Sequence, residues 1–161
     1  MGMLVALAFI FSYIESLIPI NVGIPGIKIG LANMVTIVTL YTIGVVPAVV
    51  LSLVRIVLTG FTFGNLAMMM YSLGGGMLSL LVMVIAQKTK LFSITGVSVL
   101  GAVFHNIGQI IVAAIVVENS SLFYYLPVLL VSGVVFGVVI GMVGAVLVKR
   151  LSGFIQKQDI F

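Results

Sequence analysis

Residues 122–148 read LFYYLPVLLVSGVVFGVVIGMVGAVLV and run directly into Lys149 and Arg150. No charged side chain interrupts the stretch, and its only hydroxyl groups belong to Tyr124, Tyr125 and Ser132. A run this long, apolar on every side, is what an α-helix needs to cross the ~30 Å hydrocarbon core of a bilayer. A strand of a membrane barrel would instead alternate in polarity over about ten residues. Lipid offers no hydrogen bonds, so a spanning backbone must satisfy itself within helices or a closed barrel. This stretch reads as helix.

The rest of the chain has the same texture. Of 161 residues, 63% are hydrophobic and 6% charged, and the mean hydropathy is +1.46. A soluble domain carries about a quarter charged residues, so a water-solvated surface is excluded. The fold class expected is an all-α integral membrane protein, a bundle of six transmembrane helices in a single domain over 1–161. The helices are expected at about 3–18, 29–43, 48–59, 65–86, 92–117 and 122–148. Pro19 stops the first, and the loop 19–28 contains the strong turn signal Pro25-Gly26. Gly44 to Pro47 read as a tight turn, and Gln87 to Lys90 as the clearest polar loop. The second and third helices fall below about 20 residues and are expected to be buried, tilted or interrupted.

The basic residues orient the bundle. Lys88, Lys90, Lys149, Arg150 and Lys157 lie in the loop after the fourth helix and in the C-terminal tail. The positive-inside rule makes that side cytoplasmic. Both termini are then expected inside a bacterial cytoplasmic (inner) membrane, with loops 19–28, 60–64 and 118–121 outside. The first apolar run lacks the basic leader and small-residue cleavage site of a signal peptide. No clustered basic face suits nucleic acid. With no cysteine, thiolate metal sites are excluded, and no metal or cofactor is expected.

Polar residues inside a bilayer are costly and are functional candidates by default. Here they gather toward the outer side. Glu15 closes the first helix, Lys28 opens the second, and Asn33 follows one turn deeper. Arg55 lies near the outer end of the third, while His105, Asn106 and Gln109 lie on the fifth from the midplane outward. His105 and Gln109, four apart, share one face. The pattern describes a cavity open to the outside over an apolar floor, and these seven residues are its candidate substrate contacts. Competing readings stay open: Glu15 can pair with Lys28 or Arg55 simply to neutralise charge, Lys28 can reach the headgroups, and His105 can be a hydrogen-bonded packing residue. Two cations against one carboxylate favour a ligand bearing a carboxylate or phosphate.

Small residues mark close packing. Gly133, Gly137 and Gly141 form a flat stripe at spacing four, read as internal packing of the sixth helix. Gly2 with Ala6, and Ala8 with Ser12, are shorter versions on the first helix, where internal packing and a partner surface are equally open. Gly74-Gly75-Gly76 suggests a kink or close contact. Nine methionines, Met68 to Met70 among them, read as adaptable packing.

Ser12-Tyr-Ile-Glu-Ser16, the run from Pro25 to Asn33, Phe104-His-Asn-Ile-Gly-Gln109 and Tyr125-Leu-Pro127 resemble the Gx transporter family, also named heptaprenyl diphosphate synthase component I. That group looks like the substrate-binding S components of energy-coupling-factor (ECF) transporters. The resemblance implies a six-helix protein that captures a small-molecule ligand from outside. It also implies a transmembrane coupling subunit and an ATPase pair as partners. On this reading loop 19–28 gates the site, and small residues of the first helix face the coupling subunit. The chain has no phosphate-cradling G-x-x-x-x-G-K-[ST] loop, so ATP use would fall to partners. Condensing prenyl diphosphates requires clustered aspartates to hold Mg²⁺, whereas the acids here are Glu15, Glu118 and Asp159, far apart in sequence. A non-enzymatic capture subunit is therefore expected. The alternatives are an accessory membrane subunit of a prenyl-diphosphate, quinone or flavin redox system, and an ion-coupled carrier using His105 and Glu15. The want of a second buried acid and of an inverted repeat weighs against the carrier.

Overall fold

The computed structural model describes residues 1–18 and 29–158, with side chains through Gly153. Among these residues the chain forms six α-helices: α1 (Gly2–Leu17), α2 (Leu31–Thr42), α3 (Val45–Thr62), α4 (Leu66–Thr89), α5 (Ile94–Val117) and α6 (Leu126–Gln158). A short 3₁₀ turn, Ser120–Tyr125, precedes α6. The last four helices are long and apolar enough to cross a membrane, while α1 and α2 are shorter. Large apolar side chains stand exposed along every helix except α2, as a lipid solvent allows and water does not.

Several boundaries differ from expectation for local reasons. The turn expected over 44–47 shrinks to Gly44, whose φ of 129° only glycine adopts without strain. The Thr39 carbonyl accepts the N–H groups of both Ile43 and Gly44, at 2.9 and 3.0 Å, and so closes α2. Pro47 falls within the first turn of α3, where a missing N–H forfeits no helical bond. Helix α3 then continues through Gly60 to Thr62, placing Arg55 about two turns from its end rather than one. Gln87 belongs to α4, not to a loop. Helix α6 begins at Leu126, tolerating Pro127 in its first turn, and passes Lys149 and Arg150 without a break. Basic residues mark where hydrocarbon ends; they do not stop a helix. At ~1.5 Å per residue, its 33 residues span about 50 Å.

Helix α2 is the element around which the others are arranged. It touches α1, α3, α5 and α6, and seven of its twelve residues are buried. Its length, about 18 Å, covers little more than half a bilayer. Gly30 and Asn33, at its start, share a crevice with Ser98 and Ala102 of α5 and with Phe136, Gly137 and Ile140 of α6. Gly137 is about 16 Å along α6 from Leu126, so α2 begins near mid-depth. It ends level with the C-terminal end of α4, where Gln87 Nε2 donates to the Leu40 carbonyl at 3.2 Å.

Below that starting point the bundle is apolar and dense. Ile37, Leu40, Ala48, Leu80, Met83, Ala86, Val97 and Ile140 form one buried cluster. Ala8, Val35 and Leu51 form a second. The buried hydroxyls of Thr36 and Thr39 donate to carbonyls of their own helix, Ala32 and Val35. Glycines bring α5 against its neighbours: a Cβ on Gly137 would lie 2.8 Å from the Val99 Cα, and one on Gly141 2.7 Å from the Thr95 Cα. Gly74 to Gly76 stay within an unbroken α4. They permit close contact, since a Cβ on Gly108 would meet the Gly74 carbonyl oxygen at 2.8 Å.

The two small-residue pairs of α1 face different ways. Ala8 is fully buried against α2 and α3, and the Ser12 hydroxyl donates to its carbonyl at 2.9 Å. Ala8 thus lies inside the bundle, while Ser12 is part-buried. Gly2 and Ala6 remain exposed.

Candidate functional site

The start of α2 requires an acceptor that its own residues do not supply. The first N–H groups of a helix have no partner within it, and a Ser, Thr, Asp or Asn usually caps them. The cap position here is Gly30, held at φ 85° with no side chain to contribute. Glu15, in the last turn of α1, reaches across instead: its Oε1 accepts the Gly30 N–H at 2.5 Å. The helix dipole, worth roughly half a positive charge at this end, favours a carboxylate there. At mid-depth, with little water to screen it, the attraction is stronger than on a surface.

Arg55, on α3, lies within electrostatic range of this contact. Glu15 is the charged group whose field acts on its guanidinium. The Arg55 Nε is enclosed and has no hydrogen-bond partner among the described residues. On either side of Arg55, Ser52 and Ile56 pack toward Gly76 of α4, whose added Cβ would be 3.0 Å from Ile56 Cδ1. The neighbouring Gly75 opens onto α5: a Cβ there would be 3.2 Å from His105 Cε1 and Nε2, and 2.7 Å from the His105 carbonyl oxygen. One turn of α4 thus lies between Ser52 and Ile56 of α3 on one side and His105 of α5 on the other. Gln109, a turn beyond His105, keeps a buried Oε1 with no partner among the described residues.

Two of the candidate residues point elsewhere. Asn106 donates through Nδ2 to the Leu129 carbonyl at 2.6 Å, a bond from α5 to α6 that leaves its amide nitrogen tied to packing. The Ser132 hydroxyl shares that acceptor at 2.9 Å, and Gly133 leaves the space, since a Cβ there would be 2.9 Å from Nδ2. Asn33 lines the crevice on the α5–α6 side of α2, which has room for about one water molecule. Lys28 and the proposed gate 19–28 lie outside the described residues. Phe63, at the end of α3, packs its ring 5.6 Å from both Phe9 and Tyr13, tying α1 to α3 close to Glu15.

Two participants escape a reading of side chains along the chain. Gly30 contributes a backbone N–H, signalled in the sequence only by a helix start without a local cap and a lone acid in an apolar helix. Gln87 resembles a loop residue beside Lys88, yet it closes the far end of α2.

The fold and this mid-depth polar group define a helical, multi-pass membrane protein built around a half-length helix. The chain belongs to the heptaprenyl diphosphate synthase component I family, whose model matches residues 4–147. No curated protein and no solved structure matches it.

Proposed function

We propose that this chain is the membrane-embedded substrate-binding (S) subunit of an ECF-type transporter, taking a small organic micronutrient from outside for uptake driven by partner ATPases. The observation that carries the reading is the polar group at the start of α2. The Arg55 Nε and the Gln109 Oε1 are enclosed without partners among the described residues, and the Glu15 carboxylate rests on a helix terminus, above a largely apolar core. Buried polar atoms are satisfied in nearly all proteins, and orphaned ones suit a missing ligand. Glu15, Arg55, His105 and Gln109 are the proposed contacts, with Lys28 added from sequence. Gly2 and Ala6 supply the outward small surface proposed to meet the coupling subunit.

Gently purified protein should retain one small molecule stoichiometrically, identifiable by mass spectrometry, and should co-purify with ATPase subunits. If Arg55→Ala and His105→Ala both leave retention unchanged, the site assignment fails. The family's name favours a second reading, because a component I implies a partner component. The chain would then be an accessory membrane subunit of a prenyl-diphosphate synthase. A synthase, rather than an ATPase pair, recovered with the chain would decide for it.

A further inference from the structure

We infer that the Glu15 carboxylate occupies the place of the solute's anionic group, and that Arg55 with the start of α2 receives that group, a carboxylate or phosphate, once Glu15 is displaced. This rests on the capture reading and adds the chemical class of its ligand.

Three observations carry it. Positive groups outnumber negative ones: the α2 N-terminus is met by one carboxylate, and the enclosed Arg55 guanidinium lies within that carboxylate's electrostatic range without pairing with it. That carboxylate serves only part of the available donors. Its Oε1 takes the Gly30 N–H, the Asn33 and Met34 N–H groups return to the Gly30 carbonyl, and the Arg55 Nε is left without an acceptor among the described residues. An incoming phosphate or carboxylate brings further acceptor oxygens in a geometry that guanidinium groups bind well. Finally, Glu15 sits on the helix least anchored by burial, since Ala8 is the one buried residue of α1. The α5–α6 pair behind the site is held by glycine contacts at backbone distance. Exchange of anions thus asks α1 to move and leaves the tightly packed wall in place. A cationic solute would have to approach both Arg55 and the positive end of α2, which opposes it.

The chain's three acidic residues allow a direct test. In the variant Glu118→Gln/Asp159→Asn, Glu15 is the sole side-chain carboxylate, and its infrared stretch can be followed in phosphatidylcholine vesicles. Adding inorganic phosphate should shift that band saturably, and Arg55→Gln should abolish the shift. In a separate thermal-stability measurement, Glu15→Gln should be stabilised by phosphate at lower concentration than the unmodified chain. An unmoved band, or a shift that survives Arg55→Gln, overturns the inference; so does loss of phosphate stabilisation in Glu15→Gln. A shift seen only on replacing phosphatidylcholine with phosphatidylglycerol assigns the site to a lipid headgroup and overturns a solute ligand. The capture reading fails separately, through absence of ATPase partners and of a retained solute. Retention of a solute lacking any anionic group would leave capture standing while overturning the present inference.

Discussion

A pair of identical substitutions on α6 tests how its packing is built. Gly137→Ala places a methyl group 2.8 Å from the Val99 Cα, a backbone atom that no rotamer change removes. Gly144→Ala places the same group 3.7 Å from Ile37 Cγ2, an ordinary contact. Reaching even 3.4 Å at position 137 requires about 0.6 Å of separation between α5 and α6, and a gap of that size forfeits roughly a third of each dispersion contact. For roughly 40 atom pairs at ~0.15 kcal/mol, the loss is about 2 kcal/mol. Both substitutions share the ~1 kcal/mol preference of alanine over glycine in a helix, so it cancels in the comparison. Gly137→Ala should be about 1 kcal/mol less stable than the unmodified chain, Gly144→Ala up to 1 kcal/mol more stable, and the two about 2 kcal/mol apart. Equilibrium unfolding in mixed detergent–dodecyl sulfate micelles, followed by circular dichroism, measures the difference. Equal stabilities for the two variants would refute backbone-distance packing of α6 on α5.

Other outcomes follow from single contacts and from topology. Asn106→Ala removes the α5–α6 bond to the Leu129 carbonyl and should cost about 0.6–1.7 kcal/mol in the same titration, while leaving solute retention intact; lost retention with unchanged stability would return Asn106 to the site. Because the chain has no cysteine, single-cysteine variants report its orientation. With the basic end cytoplasmic, an impermeant thiol reagent outside the cell should label Gly23→Cys and Ser120→Cys but not Thr89→Cys or Ser152→Cys. The reverse pattern inverts the bundle and removes the outward capture model.

The sequence by itself determined the solvent and the elements. Twenty-seven uncharged residues ahead of Lys149 permit a spanning helix and little else, because hydrocarbon leaves a backbone no other way to satisfy its polar groups. The spacing of Gly133, Gly137 and Gly141 marked a face for close approach, and α5 occupies it. It also marked Glu15 and Arg55, since isolated charges stand out in an apolar chain. Their relation was decided only by the tertiary structure: which face of α1 turns inward, that α2 starts at mid-depth, and that Glu15 caps a helix fifteen residues away in sequence. The same held for Asn106, drawn to α6 by a carbonyl, and for Ala8, turned into the core. Composition specifies what a segment can bury. Where a half-length helix ends within the bilayer depends on the helices packed around it, and that height sets which polar groups meet.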